Sequence, residues 1–136
     1  MKAFVAFRFT GEDPKILEPL LTTVRDALKK AGVDSYCTFF EEDVFKDKQQ
    51  GPRQIMEHAF STIDGSDFLF VIQTSDNKSE GMLMEVGYAV AKRIPVVVVS
   101  HKDVGYTYVP DMASRSFQFS SNEGLAAKIA TLDFDL

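Results

Sequence analysis

Two short stretches of this 136-residue chain carry side chains suited to chemistry. In the first, Phe7-Arg8-Phe9-Thr10-Gly11, a cation, a hydroxyl and a flexible glycine stand just before a helix start at Asp13-Pro14. Free backbone N–H groups and the dipole at a helix N-terminus favour an anion there. The two phenylalanines could hold the flat face of a base or a sugar. An ordinary strand-to-helix turn with a solvated Arg8 fits the same residues. In the second stretch, residues 79–89, Ser79 can cap a helix. Glu85 lies one turn past Gly81, on one stripe with Gly81 and Tyr88. The adjoining stripe is apolar, which puts Glu85 at the border of a buried face. Its closeness to the helix N-terminus predicts an ionised carboxylate. Gly81 leaves open space above it for a ligand. A boundary glutamate paired with Arg8 or Lys92 is the other reading of this spacing.

The remaining reactive side chains point to structure rather than chemistry. The single cysteine, Cys37, cannot form an intramolecular disulfide and fits a reducing compartment. It is expected as a small buried hydrophobe beside Tyr36. Asp67, at a strand entrance, is expected to be structural. His58 stands alone on a helix, where histidines more often pack than react. No Cys/His cluster has metal-ligand spacing, so neither a metal nor a cofactor is expected.

These residues are placed by an alternation of strands and helices. Residues 2–7 form an apolar run that predicts a buried strand. Leu17, Leu20, Leu21, Val24, Leu28 and Ala31 repeat at helical spacing, and Gly32 stops that helix. Residues 33–40 predict a second strand. Residues 41–50 are polar and lack a period; they fit a loop over the site or a solvated face. The next helix opens at Gly51-Pro52, with Ile55, Ala59, Phe60 and Ile63 as its apolar residues. Residues 67–73 predict a third strand, and residues 81–92 a helix with Met82, Val86, Ala89 and Val90 inward. Residues 94–100, with four consecutive valines, predict a fully buried central strand. Residues 117–119 and 125–129 predict a last edge strand and a last helix. Short connections between alternating elements give one α/β domain with a parallel sheet. Five strands in the order 2-1-3-4-5 are expected. Ligands in such sheets sit beyond the strand carboxyl ends, where strand order reverses. Here that point falls between the loops after the first and third strands.

Composition narrows the function classes. A net charge of -5 argues against a nucleic-acid polymer as partner. The hydrophobic content of 45% suits a folded domain. No apolar run approaches a membrane span, and residues 1–9 fit a strand rather than a signal peptide. A soluble cytoplasmic protein is expected.

The stretch from Ile55 through Val99 resembles the nucleoside 2-deoxyribosyltransferase family. The similarity rests on Gly65-Ser66-Asp67 leading into a hydrophobic strand, then Ser79-x-Gly81-x3-Glu85-x-Gly87-x-Ala89, then a strand beginning Pro95-Val-Val-Val. The resemblance implies a flavodoxin-like three-layer sandwich and cleavage of the N-glycosidic bond of nucleosides or nucleotides. By matching position, Glu85 would be the nucleophile, trapping the anomeric carbon as a glycosyl ester for hydrolysis or 2-deoxyribosyl transfer. Serine at the position of Ser79 is similar to the 2'-deoxynucleoside 5'-monophosphate N-glycosidases, and Ser79 with Gly81 implies a 5'-phosphorylated substrate. A phosphate would be held by Ser79, the backbone at Glu80 and Gly81, and the loop from Arg8 to Gly11, with the Glu80 side chain turned away.

The family carries an aspartate eight residues before Asp67, where this chain has Ala59. That aspartate is thought to assist the base, and His58 or Glu57 could substitute only on a suitably rotated helix. Phe7, Phe9 and Tyr36 could shape a base pocket or belong to the core. The family's assemblies imply a homodimer or higher homo-oligomer, with residues 112–115 near a partner's pocket. A nucleotide-binding or sensor module without catalysis is the alternative that Ala59 favours. The opening from Phe4 to Asp13 is also similar to the start of a TIR domain. That family shares the sheet topology, and some members cleave NAD with a glutamate.

Overall fold

The computed structural model describes residues 1–41 and 51–136. Most of the polar stretch 41–50 therefore lies outside the described residues. The strands are β1 (Lys2–Ala6), β2 (Asp34–Tyr36), β3 (Phe68–Gln73), β4 (Val96–His101) and β5 (Arg115–Phe119). The helices are α1 (Pro14–Lys30), α2 (Pro52–Asp64), α3 (Glu80–Ala91) and α4 (Asn122–Ala130). All strand pairs are parallel, in the order β2-β1-β3-β4-β5 expected from sequence.

Alternate strand residues feed two cores, because successive side chains point to opposite faces. Ala3, Val5, Phe68, Phe70, Ile72, Val97 and Val99 pack with residues of α1 and α4. Phe4, Ala6, Leu69, Val71, Val96 and Val98 pack with Ala59 and Ile63 of α2 and Met82, Val86 and Ala89 of α3. Every residue of β3 is buried, as the apolar run 68–72 requires, with the polar Gln73 buried at its end. The result is a three-layer sandwich. Asp13 caps α1 by accepting from the Lys15 N–H at 2.9 Å, and Pro14 takes the first helical position. Asp67 accepts from the Lys2 N–H at 2.7 Å, tying the starts of β1 and β3 together.

The second strand is shorter than residues 33–40. It ends at Tyr36, and a 3-10 turn follows at Thr38–Phe40. Phe39 and Phe40 both pack on the α1-side core, which a two-residue strand period cannot arrange. Cys37 is buried, and burial pushes its thiol up to about 11, which rules against a thiolate. Val90, expected inward, is exposed at 42%, and Ile55, one of the apolar residues of α2, at 41%. The buried stripe of α3 runs through Met82, Val86 and Ala89, and Val90 lies about forty degrees past its Val86 edge. Ala31 is also exposed, just beyond the end of α1.

Candidate functional site

A cavity of about 310 Å³ opens at the carboxyl end of β1, beside α2 and α3. Strand β1 and its following loop supply Phe4 to Phe7, Phe9 and Thr10. Helix α2 supplies Ile55, Met56, His58 and Ala59. Helix α3 and its cap supply Ser79, Gly81, Met82 and Glu85, and Thr38 completes the wall. This is the strand-order reversal between β1 and β3 where the topology places a ligand. Seven residues singled out from sequence meet here: Phe7, Phe9, Thr10, His58, Ser79, Gly81 and Glu85. The sequence pattern did not single out Met56 as a wall residue, although it stands three residues before Ala59 on the same helical stripe.

Arg8 and Gly11 are not among the lining residues. The Arg8 guanidinium donates to the Lys78 carbonyl and lies 3.6 Å from the Glu12 carboxylate. Glu12 in turn accepts from the Ser75 hydroxyl at 3.2 Å. Arg8 thus straps the loop after β1 to the loop before α3. Gly11 has φ +81°, a conformation that favours glycine, and a Cβ there would meet the Arg8 guanidinium at 3.4 Å.

Helix α3 begins at the cavity because Ser79 caps it, accepting from the Met82 N–H at 3.3 Å. The Leu83 N–H bonds the Ser79 carbonyl. The first two N–H groups, those of Glu80 and Gly81, have no acceptor within the helix. The Glu80 side chain is exposed and is not part of the wall. A Cβ on Gly81 would touch only the Met56 sulfur, at 3.8 Å, so the glycine leaves room on the ligand side. Ser79→Ala is expected to cost about 1 kcal/mol of stability by urea unfolding, and Ser79→Asp to restore it, since aspartate caps as well as serine.

Glu85 has no hydrogen bond or ion pair among the described residues. Arg8 is engaged elsewhere, and the Lys92 ammonium lies 5.6 Å from the Tyr88 ring centroid. Burial alone pushes the Glu85 carboxyl up to about 8. This corrects the expectation of an ionised carboxylate. Glu85 is the sixth residue of α3, beyond the first turn where the helix dipole acts. Near neutral pH this burial favours the protonated form of the Glu85 carboxyl.

The two helices that carry the site are clamped together. Phe60 of α2 stacks on Tyr88 of α3, with ring centroids 4.3 Å apart and planes 11° from parallel. The Tyr88 hydroxyl donates to both Asp64 carboxylate oxygens, at 2.8 and 2.9 Å. Glu57 points outward and pairs with Arg53 at 3.0 Å, so of these two neighbours only His58 lines the cavity. The Tyr36 hydroxyl lies 3.0 Å from His58 Nε2.

A second cavity, of about 370 Å³, is lined by Gln73, Ser100, Tyr106, Thr107 and Asp111 among others. Ser100 donates to the Gln73 amide oxygen at 2.9 Å, and that amide donates to Thr107 at 3.1 Å. These bonds fasten the loop after β4 to the sheet. The first cavity is the candidate active site because its half-buried Glu85 carboxyl has no hydrogen-bond or ionic partner among the described residues.

A family model for nucleoside 2-deoxyribosyltransferases matches residues 9–123. The chain belongs to this family. Membership places it among enzymes that act on the N-glycosidic bond. Three solved structures share the fold of this deoxyribosyltransferase family member. A 2-deoxyribosyltransferase from Bacillus psychrosaccharolyticus superposes with TM-score 0.75 at 18% identity, covering 98% of this chain and 93% of its own. The CMP N-glycosidase BcmB of Clostridium botulinum gives 0.72 at 12% identity, covering 97% and 100%. A conserved protein from Enterococcus faecalis V583 gives 0.71 at 20% identity, covering 94% and 96%. No curated protein sequence matches. Among the described residues, no helix is long and apolar enough to cross a membrane, and no group of three or more His, Cys, Asp or Glu could hold a metal.

Proposed function

We propose that this protein hydrolyses the N-glycosidic bond of a nucleoside 5'-monophosphate, with Glu85 as nucleophile. The observation that carries the reading is the unpaired Glu85 carboxyl, set in one cavity with the capped N-terminus of α3. The phosphate sits on the Glu80 and Gly81 N–H groups and the Ser79 hydroxyl, which can donate outward while accepting from Met82. The sugar lies over Gly81, and the base lies among Phe7, Phe9 and Met56. The name of the similarly folded BcmB joins this architecture to a nucleoside monophosphate.

Once ionised, a Glu85 oxygen bonds to the anomeric carbon as the carbon–nitrogen bond breaks. The bonding pair leaves on the base nitrogen, which takes a proton. Water then attacks the glycosyl ester, releasing sugar phosphate and regenerating the carboxylate. A second base in place of water gives transfer. The phosphate assignment is tested with Ser79→Asp, which keeps the cap but sets a carboxylate against the phosphate. KM for a monophosphate is expected to rise at least about tenfold, with the free nucleoside little affected. An unchanged KM for the monophosphate would place the phosphate elsewhere.

The reading includes a homodimer or higher homo-oligomer. Leu83, Met84 and Val90 expose apolar surface on the outer side of α3, and Tyr106, Tyr108 and Met112 expose more on the segment between β4 and β5. Scattered exposure is ordinary, but several large apolar residues on one helix suit a second copy of the chain. Sedimentation should give a mass of at least two chains, and Leu83→Glu with Met84→Glu should reduce it to one. A monomeric wild type would remove this part of the reading.

A further inference from the structure

A carboxyl set in a cavity without a counter-charge leaves the ligand to bring one. The half-buried Glu85 carboxyl has no hydrogen-bond or ionic partner among the described residues, and no Lys or Arg among them lines its cavity. The Arg8 guanidinium, in the loop after β1, is held elsewhere, by the Lys78 carbonyl and the Glu12 carboxylate at 3.6 Å. His58, the other titratable wall residue, comes from α2 with its Nε2 3.0 Å from the Tyr36 hydroxyl. The rest of the wall around the base is apolar and polarisable. Phe7 and Phe9 bring aromatic rings, whose faces attract cations, and Met56 brings a thioether sulfur. The Phe7 ring is fixed edge-on against Phe39, with centroids 6.2 Å apart and planes at 73°.

We propose that the substrates of this site are nucleoside 5'-monophosphates whose base already carries a positive charge, as an N-ribosyl pyridinium or an N7-alkylated purine does. The inference rests on the glycosidase reading above and names its substrate class. In such a base the charge is shared by the ring nitrogen bonded to the anomeric carbon. Glu85 must approach that carbon, which brings its oxygen within about 4 Å of the charge. Burial favours the protonated carboxyl in the free protein, and the incoming cation favours the ionised one. Binding therefore sends the Glu85 proton to solvent and arms the nucleophile only with substrate in place. A Glu85 oxygen then bonds to the anomeric carbon as the carbon–nitrogen pair passes to the cationic nitrogen. The base leaves neutral, its charge having taken the place of the proton that an ordinary base acquires on leaving. Water attacks the glycosyl ester, the ester pair returns to Glu85, and the proton from water passes to solvent.

The test uses carbocyclic analogues, in which CH2 replaces the sugar ring oxygen so that no bond breaks on binding. One 5'-monophosphate carries a nicotinamide pyridinium, and the other its 1,4-dihydro form, which has nearly the same shape and no charge. Calorimetry at about pH 6.5 is expected to show wild type binding the cation at least about tenfold more tightly than the neutral form and releasing about one more proton. Glu85→Gln should bind the two within about threefold of each other, with no difference in protons released. Equal affinities in wild type, or a preference that Glu85→Gln retains in full, overturn the inference. Turnover separates the two kinds of charged base. Nicotinamide mononucleotide, N7-methylguanosine 5'-monophosphate and guanosine 5'-monophosphate are compared, each rate divided by that of Glu85→Gln to remove intrinsic lability. At least one charged base should then exceed guanine by about 100-fold or more. A normalised rate for guanine equal to or above both overturns the inference and leaves the glycosidase reading intact. No release from any nucleoside monophosphate overturns that reading, and this inference with it.

Discussion

Glu85→Gln is expected to lower base release by about 10⁴-fold while leaving the protein folded. Glutamine matches glutamate in size and shape but cannot form a glycosyl ester. The substitution breaks no network, because the Glu85 carboxyl has no hydrogen-bond or ionic partner among the described residues. Loss of activity therefore cannot be traced to a collapsed scaffold. The check is chromatographic base release from a panel of nucleosides, nucleoside monophosphates and NAD, alongside circular dichroism of both proteins. Activity within tenfold of wild type in Glu85→Gln would falsify the nucleophile assignment. Wild-type release from NAD alone would favour the TIR-like alternative. Thermal stabilisation by nucleotides without any release would mean a binding module, and Ala59 would then mark the loss of chemistry.

The second large effect is on stability against pH. In the unfolded chain the Glu85 carboxyl titrates near 4.5, and in the fold near 8. Between those values the folded protein holds a proton that the unfolded chain has released. Unfolding then releases a proton, so raising the pH favours the unfolded state. The stability of wild type relative to Glu85→Gln should fall from about pH 4.5 to about pH 8, with a ceiling of about 1.4 kcal/mol per unit. Below this window the two proteins should run in parallel, and above it the gap should stay constant. Urea unfolding of both at pH 5, 6, 7 and 8 measures it, and parallel curves throughout would rule out the raised carboxyl. The kinetic counterpart is a kcat/KM that climbs with pH through about 8, as Glu85 loses its proton.

Much of this architecture was legible because it depends on local pattern. The unbroken apolar runs of β3 and β4 mark strands buried on both faces. The helical repeat of α1 and the Asp13 and Ser79 caps fix helix starts. Alternation of elements then orders the sheet and puts the cavity at the β1–β3 reversal. What was not legible depends on partners far apart in the chain. Arg8 looks like an anion ligand until the Lys78 carbonyl, seventy residues on, takes its guanidinium. His58 looks solitary until Tyr36, twenty-two residues earlier, meets its ring. The protonation of Glu85 was misjudged for a related reason. Helix position suggests a stabilised anion, whereas desolvation by three-dimensional packing decides the outcome.

The clamp of Phe60, Tyr88 and Asp64 has a bearing on how such a site diversifies. It fixes the separation of α2 and α3 through residues that do not line the cavity. Exchanges at wall positions such as Met56, Ala59 and Gly81 can therefore reshape the chamber without altering the frame around it. A lineage built this way can try new substrates one side chain at a time, because the gauge between its helices is kept by a separate set of residues.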